Sequence, residues 1–291
     1  MRYHGTVVRP PSEAESYILQ VTYGCSHNRC TFCGTYPDKP FRVRDEAEVL
    51  EDVAMARDEM GDVRRVFLAD GNALVLNTRR LAGTLDALAG AFPRLRRVGI
   101  YANARDILDK SDDDLAMLCR KRLQLVYLGL ESGSDEVLRR VGKEATAAEM
   151  TAAVHKAKRA GMRVSVIALL GIGGTELSAE HAEQTGRVAG AMDPHYLSML
   201  TLMLVPGTEL HAQASSGEFQ PLPPEGMLGE LRQIIATSTG LSRCIFRTNH
   251  ASNYVPLAGT LSRDRERLLA ALDQAIAQGP SAMRPEMWRA L

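Results

Sequence analysis

Three cysteines lie within nine residues near the start of the chain. They are Cys25, Cys30 and Cys33, so four residues separate the first pair and two separate the second. Thiolates at such short spacing are typical ligands of a metal ion or an iron–sulfur cluster. Three thiolates on one loop are enough for three irons of a cubane cluster and leave the fourth iron open. The alternative is a structural zinc ion with His27 as the fourth ligand.

The other two cysteines stand apart from this loop. An odd total of five disfavours a disulfide framework and favours a metal site. Cys119 falls on the apolar side of a predicted helix, where a buried and inert thiol is expected. Because Cys119 and Cys244 are too few for a second cysteine-ligated cluster, the sequence predicts a single metal centre.

Strand and helix patterns alternate along the chain after the cysteine loop. Predicted strands cover residues 17–22, 65–69, 98–101, 125–130, 164–170 and 196–205. A stretch of helical periodicity lies between each of these strands and the next. This alternation predicts an α/β fold, an incomplete (βα)6 TIM-like barrel with parallel strands and a short C-terminal α/β cap. The predicted domains are an N-terminal extension at 1–15, the barrel at 16–219 and a substrate-side cap region at 220–291.

Capping residues indicate where several helices begin and end. Asp45 precedes a helix that Gly61 is placed to end, and Ser111 precedes another. Thr146 and Glu149 have the spacing of a capping box. Each strand ends in a loop that contains glycine, asparagine or an acid. Because parallel strands of a barrel end at one face, that face is expected to carry the chemistry.

The cysteine loop, with Phe32 just before its last cysteine, resembles that of the radical S-adenosylmethionine (SAM) enzymes. The commonest spacing in that family is three residues and then two, so this loop has one residue more. Three further strings are similar to the ends of the fourth, fifth and sixth strands of one branch, namely residues 129–134, 170–174 and 205–208. That branch contains the oxygen-independent coproporphyrinogen oxidases, the tRNA methylthiotransferases and the Elongator-type enzymes. The resemblance covers residues 16–210.

The resemblance implies a 4Fe–4S cluster held by the three cysteines, whose open iron is chelated by SAM. It implies that one electron, from an external donor such as a flavodoxin or ferredoxin, cleaves SAM to methionine and a 5′-deoxyadenosyl radical. That radical would abstract a hydrogen atom from the substrate. In such a reaction the cofactor carries the difficult chemistry, and the protein orients the reactants and excludes water.

The resemblance also implies which residues contact SAM. Phe32 is expected beside the adenine, and Asp70 and Gly71 beside the amino group, although a packing role or a plain turn explains these residues too. The full set of predicted cofactor-binding residues is Phe32, Asp70, Gly71, Asn72, Asn103, Glu131, Ser132, Ser165 and Gly171. Asn103 is as readily a turn residue, and Gly171 as readily part of a tight turn.

The C-terminal region contains a polar string that follows a short predicted strand at 244–247. Asn249, His250 and Asn253 are candidates to face the substrate, with a plain polar loop as the alternative. Cys244 is a candidate hydrogen donor to a substrate radical, with a buried thiol as the alternative. None of these candidates is assigned a definite catalytic role.

Charge and length restrict the substrate and the location. The chain has 35 Lys and Arg against 35 Asp and Glu, so its formal net charge is zero. We therefore expect a small-molecule substrate, no nucleic acid and, without a signal or spanning segment, a cytoplasmic enzyme away from membranes. Rearrangement, epimerisation, dehydrogenation, decarboxylation and carbon–carbon bond formation all stay open. The alternative functions are a non-catalytic zinc- or iron–sulfur-binding barrel module and an RNA-modifying radical SAM enzyme.

Overall fold

The computed structural model describes residues 2–290, which fall into two compact units. The first unit comprises residues 2–28, 35–128 and 153–164, and the second comprises 29–34, 129–152 and 165–290. The predicted domain boundaries at 15/16 and 219/220 stay predictions. Within residues 2–290, no helix combines the length and apolar character that a membrane span requires.

The first unit is built on a sheet with parallel strands. Its strands are β1 (Tyr17–Gln20), β2 (Thr22–Tyr23), β3 (Arg42–Val43), β4 (Arg65–Ala69), β5 (Arg97–Tyr101) and most of β6 (Leu123–Glu131). Its helices are α1 (Glu46–Met60), α2 (Thr78–Ala91), α3 (Ala104–Asp109) and α4 (Asp112–Arg120). The strand order is β1-β4-β5-β6, and every pair in that order is parallel. A separate antiparallel pair joins β2 and β3.

The second unit continues the same alternation. It contains α5 (Asp135–Arg140), the first part of α6 (Ala147–Arg159), and most of β7 (Arg163–Leu170). There follow α7 (Gly174–Met192), β8 (Tyr196–Thr201), α8 (Glu209–Ser216), α9 (Pro224–Thr237), β9 (Ile245–Arg247), β10 (Ala258–Thr260) and α10 (Leu261–Gln278). The order is β7-β8-β9-β10, in which β9 and β10 are the antiparallel pair.

These elements confirm the predicted fold class, a parallel α/β arrangement of the incomplete TIM-like barrel type. The predicted strand 65–69 coincides with β4, whereas 196–205 is four residues too long because the chain leaves the sheet after Thr201. The helices α3, α5 and α8 were not predicted. The strand β9, which the sequence assigned to a cap, pairs in parallel with β8.

Caps at the helix ends follow the expected chemistry. The Asp45 side chain accepts a hydrogen bond from the N–H of Ala47, and Gly61 follows the last residue of α1. The capping box at α6 is reciprocal, since Glu149 Oε2 accepts from the Thr146 N–H at 2.8 Å and Thr146 Oγ1 accepts from the Glu149 N–H at 3.2 Å. Local sequence therefore sets these boundaries.

Glu13 places a buried carboxylate against β5 and β6 of the first unit. Its Oε1 accepts hydrogen bonds from Arg97 Nη2 and Tyr127 Oη, both at 2.6 Å, and Ser16 donates to its Oε2. The side chain of Glu13 is fully buried. Gly99 leaves room for it, because a Cβ there would lie 3.2 Å from Glu13 Oε1. This carboxylate ties the start of the chain to β5 and β6.

We expect Glu13→Ala to lower the free energy of unfolding by about 3 kcal/mol, because it leaves the Arg97 charge and the Tyr127 hydroxyl without their buried acceptor. Glu15→Ala is the matched control, since exposed Glu15 only pairs with Arg65 at the surface, and it should cost about 0.5 kcal/mol or less. Urea unfolding followed by circular dichroism measures both. Equal effects of the two substitutions would contradict the role given to Glu13.

Candidate functional site

Cys25 lies against the end of β4 in the first unit. It follows Gly24, whose φ of +68° and close approach to Lys39 favour glycine. A Cβ built on Gly71 would lie 2.8 Å from the Cβ of Cys25 and 2.7 Å from the Tyr36 ring. Only glycine leaves Cys25 in this place, so Gly71 has a direct steric role beside the first cysteine.

Asp70 binds the Tyr36 side chain that packs against Gly71. It is buried, and its Oδ1 accepts from Tyr36 Oη at 2.8 Å while its Oδ2 accepts from Gln20 Nε2 at 3.2 Å. Burial raises the pKa of Asp70 above its ordinary value, partly offset by these hydrogen bonds. The carboxyl group is therefore already engaged by side chains of its own unit. Its predicted contact with the SAM amino group stays a prediction.

Asn72 connects the cysteine loop to the next strand of the same unit. Its Nδ2 donates to Ser26 Oγ at 2.7 Å, and its Oδ1 accepts from the N–H of Asn103 at 3.1 Å. Asn72 is buried, whereas Asn103 is half-buried at the start of α3. Both predicted residues thus lie at the carboxyl ends of parallel strands, and their observed contacts hold the loop in shape.

The other two cysteines belong to a short segment that the second unit holds at both backbone groups of Thr31. The Thr31 N–H donates to the Val141 carbonyl at 3.0 Å, and the Thr31 carbonyl accepts from the N–H of Leu210 at 2.9 Å. A turn bond from the Cys33 N–H to the Cys30 carbonyl spans 3.1 Å. The segment between these cysteines is therefore fixed by the end of α5 and the start of α8.

Phe32 projects from this segment into an apolar cluster of the second unit. The buried members of the cluster are Val137, Val141, Ile172, Leu202 and Leu210. Phe32 is half-buried and packs against them. This contact accounts for a packing role of Phe32, and its place beside an adenine stays a prediction.

The donor chemistry of the loop fits an iron–sulfur cluster. All three cysteines are partly exposed and outside any disulfide, and thiolates are the ordinary ligands of such clusters. In residues 2–290 no three His, Cys, Asp or Glu side chains are arranged to hold a metal ion. The three ligands stay a prediction from sequence.

Glu131 ends β6 in a strained conformation. Its φ of +61° lies in the left-handed region, which costs a non-glycine residue about 1 kcal/mol or more. The side chain is mostly buried, and its Oε1 accepts from Lys143 Nζ at 2.9 Å. Gly129 makes space for that carboxylate, because a Cβ there would lie 2.2 Å from Glu131 Oε1. Strained backbone conformations of this kind cluster at active sites and ligand clamps, so Glu131 is a candidate functional residue.

Ser132, next along the chain, is the first member of a buried network. Its Oγ lies 2.8 Å from His181 Nδ1 and accepts from the Ser134 N–H at 3.0 Å. Thr185, one turn further along α7 than His181, accepts from the N–H of Gly133 at 2.8 Å. Ser132 therefore shapes the loop after β6 from within, and its predicted contact with SAM stays a prediction.

Glu230 of α9 is the other end of this network and was missed from the sequence. It is 3% exposed, and its Oε2 accepts from the N–H of Gly171 at 2.6 Å. The same oxygen lies 3.8 Å from His181 Nε2. The available signal was an acid among the apolar positions of α9, since Met227, Leu231 and their neighbours form a buried face.

Burial shifts both titratable groups of this pair toward their neutral forms. It raises the pKa of Glu230 to about 7 and lowers the pKa of His181 to about 4. The pair therefore holds one proton between these two values. Between pH of about 4 and about 7 both side chains are therefore predominantly neutral.

Two predicted residues lie near the starts of strands in the second unit's sheet. Ser165 pairs with Tyr196, the first residue of β8, and so lies about 16 Å along the strand from Leu170 at a rise of about 3.3 Å per residue. Cys244 directly precedes Ile245, which also pairs with Tyr196. This register places both residues away from the carboxyl ends of these parallel strands, and the roles of Ser165 as a SAM contact and of Cys244 as a hydrogen donor stay predictions.

The polar string after β9 lies at the carboxyl end of β8, and several of its side chains already have hydrogen-bond partners. Asn253 accepts from Thr201 Oγ1 at 2.9 Å and donates to the Met199 carbonyl at 2.8 Å. His250 is half-buried, and its Nδ1 lies 2.9 Å from Ser252 Oγ. Asn249 is exposed. The string therefore fastens itself to the end of β8, and its substrate contacts stay a prediction.

A cavity of about 430 Å³ adjoins Gly171 in the second unit. Its lining includes Met203, Met227, Tyr254 and Arg289. The guanidinium of Arg289 stacks over the Tyr254 ring at 4.2 Å from the ring centroid. The lining therefore combines the apolar thioethers of Met203 and Met227 with the cation–π pair of Arg289 and Tyr254.

A comparison with protein families finds that the profile of the radical SAM superfamily matches residues 19–185. The matched stretch contains the cysteine loop, Gly71, Glu131 and Gly171, and it ends before Glu230. No curated protein matches the sequence.

Solved structures with a similar fold include three enzymes. Coproporphyrinogen III oxidase (HemN) from Escherichia coli has a TM-score of 0.56 at 18% identity, over 76% of this chain and 51% of its own. Methylornithine synthase (PylB) has 0.55 at 16%, over 89% and 81%. The radical SAM methyltransferase TsrM from Kitasatospora setae, with tryptophan and aza-SAM bound, has 0.54 at 18%, over 69% and 39%. The chain thus spans about half of HemN and two fifths of TsrM, and the likeness shows the fold alone.

We expect Glu230→Gln to gain stability relative to the wild type as pH rises from 4.5 to 7. An unfolded glutamate loses its proton near 4.5, whereas folded Glu230 keeps it to about 7, so the folded wild type holds an extra proton in this window and loses stability through it. The accumulated difference is roughly 3 kcal/mol, measured by urea unfolding across pH. Gln233→Asn, on the exposed side of α9, is the control. A Glu230→Gln difference that does not change with pH would contradict the buried neutral carboxyl.

Proposed function

Because the chain belongs to the radical SAM superfamily, we propose that it is an enzyme that binds a 4Fe–4S cluster through Cys25, Cys30 and Cys33 and binds SAM at the cluster's open iron. The match of the family profile over residues 19–185 is the observation that carries this proposal. The donor set supports it, since three partly exposed cysteines outside any disulfide occupy one nine-residue stretch. Gly71 allows the Cys25 side chain to take its place, because a Cβ at residue 71 would lie 2.8 Å from the Cβ of Cys25.

The carboxyl ends of the strands are proposed to receive SAM. In the second unit these ends present the strained Glu131 with its Lys143 partner and the backbone of Gly171 in a left-handed conformation. Phe32, held by the segment around Thr31, is proposed to contact the adenine. In the first unit, Asp70 and Asn72 are proposed to act on SAM through the loop that they shape, because their side chains already bind residues of that unit.

Cys25, Cys30 and Cys33 would hold the cluster, which would supply the one-electron reduction that cleaves SAM and so the radical chemistry proposed for hydrogen abstraction from the substrate. The electron is proposed to come from an external one-electron donor such as a flavodoxin or ferredoxin. The protein's part is to supply the three cysteine ligands, to orient SAM by the strand-end loops and to exclude water.

The substrate is proposed to be a small molecule. A net charge of zero gives no general attraction to nucleic acid, and the cavity of about 430 Å³ beside Gly171 is of small-molecule size. HemN, PylB and TsrM are an oxidase, a synthase and a methyltransferase, so the fold they share does not select a reaction subtype. The proposal therefore ends at radical formation and hydrogen abstraction.

We expect a chain with Cys25, Cys30 and Cys33 all changed to Ala to lose its iron and all formation of 5′-deoxyadenosine. The reason is that the cluster would have no thiolate ligands. Cys119→Ala is the matched control and should keep about four irons per chain and the wild-type rate, as for any cubane ligated elsewhere. The measurements are iron and sulfide content after anaerobic reconstitution and 5′-deoxyadenosine release with dithionite and SAM.

A wild-type protein that binds only zinc under strict anaerobiosis would overturn the proposal in favour of a zinc-binding module. Salt-sensitive tRNA binding by the wild type would contradict the small-molecule substrate while leaving the radical chemistry in place.

We expect Gly71→Ala to reduce iron retention to below about half of the wild type, because its Cβ would overlap Cys25 and Tyr36 and displace the cysteine. Gly90→Ala is the matched control, since a Cβ there meets nothing within 4 Å. Iron content after gel filtration of the reconstituted proteins measures the effect, with circular dichroism to confirm that both variants fold. Wild-type iron in Gly71→Ala would contradict the steric role of Gly71.

A further inference from the structure

The backbone of Gly171 depends on a side chain far along the sequence. Gly171 leaves β7 with a φ of +80°, and its N–H donates to Glu230 Oε2 at 2.6 Å, from a helix 59 residues later. A Cβ on Gly171 would lie 3.0 Å from Met227 Cε of the same helix, so α9 also packs directly against this turn. A hydrogen bond to a buried backbone N–H is costly to remove, because the donor loses its partner without regaining water.

The same carboxyl group faces the loop after β6 through one intermediate. Glu230 Oε2 lies 3.8 Å from His181 Nε2, and His181 Nδ1 lies 2.8 Å from Ser132 Oγ. Since Ser132 Oγ already accepts from the Ser134 N–H, its own hydrogen is available to Nδ1. Two strand-end loops therefore lie against one buried carboxyl, the Gly171 turn through a hydrogen bond and the loop at Ser132 through the imidazole, whose Nε2 is in contact with Glu230 Oε2 at 3.8 Å.

Helix α9 is seated closely enough to hold this carboxyl in place. Against α7, a Cβ on Gly186 would lie 1.9 Å from Thr237 Oγ1 and 2.6 Å from the Ile234 carbonyl. A Cβ on Gly190 would lie 2.3 Å from the Thr239 carbonyl. Gly186 and Gly190 on α7 therefore let the two helices approach until their backbones are in contact. This close packing leaves the Glu230 side chain little freedom to move.

We propose that Glu230 is a positioning residue for the cofactor site, fixing the Gly171 turn directly and the loop at Ser132 through His181. This inference rests on the proposed function, because it assumes that these two loops receive SAM. Its residue lies outside the family match at 19–185, so it assigns a role in cofactor binding to the C-terminal helix α9. A purely structural acid would instead affect stability and leave these loops and SAM affinity unchanged.

The first experiment uses the full chain without cofactors and needs no activity. Amide hydrogen exchange by mass spectrometry is compared for the wild type, Glu230→Gln and Glu230→Met. Gln keeps an acceptor oxygen for the Gly171 N–H, whereas Met keeps the length of the side chain and removes the acceptor. We expect exchange at residues 169–174 to rise about tenfold to hundredfold in Glu230→Met, and to stay within about threefold of the wild type in Glu230→Gln.

A second variant separates the two arms of the network. His181→Leu keeps the contact of Glu230 with Gly171 and removes the link to Ser132, so exchange should rise at residues 131–134 and stay unchanged at Gly171. It also keeps the proposal testable should Glu230→Met fail to fold. Glu225→Met, an exposed glutamate on the same helix, is the control for the substitution itself and should change neither region.

The second experiment measures SAM affinity by calorimetry on the reconstituted proteins at equal iron content. We expect Glu230→Met to bind SAM about tenfold to hundredfold more weakly, with Glu230→Gln and Glu225→Met close to the wild type. Wild-type exchange and wild-type affinity in Glu230→Met would overturn the inference, as would equal losses in Glu230→Gln and Glu230→Met. A wild type that holds the cluster and binds no SAM would overturn the proposed function instead, and the exchange data would still decide whether Glu230 fixes the turn.

Discussion

The parallel direction of the strands is the constraint on which the rest of this molecule depends. Where a parallel ladder ends, the backbone groups of the departing chain still need partners, and the buried edge offers no water. The second unit meets this need with side-chain acceptors. Thr185 Oγ1 accepts a hydrogen bond from the N–H of Gly133, and Glu230 Oε2 accepts one from the N–H of Gly171. The first unit uses the amide of Asn72 in the same way. The loops best placed for a ligand are thus shaped by side chains of other elements.

Features set by local sequence could be predicted. The strand Arg65–Ala69 and the reciprocal cap of Thr146 and Glu149 follow from patterns within a few residues, and the structure has both. The cysteine loop is local as well, which is why its spacing is informative about chemistry. Short helices such as α5 were missed because one turn and a half of chain has too little periodicity to be recognised.

Features that depend on distant contacts could not be predicted. Nothing near Gly171 in the sequence indicates that its N–H binds an acid 59 residues away. Ser165 was proposed by resemblance to an acid near the fifth strand of relatives, and its register beside Tyr196 depends on strand pairing that its neighbours in sequence do not indicate. The engagement of Asp70 by Tyr36 likewise depends on packing that no spacing reveals.

The close seating of α7 against α9 has a consequence for how this protein can diverge. The family match ends at residue 185, one residue before the first of the two glycines that admit α9. A recombinant that joins this barrel to another C-terminal segment would have to bring small residues at 186 and 190 together with an acceptor at 230. We therefore expect the residues at these three positions to be inherited together. Variation in the C-terminal segment is then restricted by the backbone turn at Gly171, which lies within the residues that match the family.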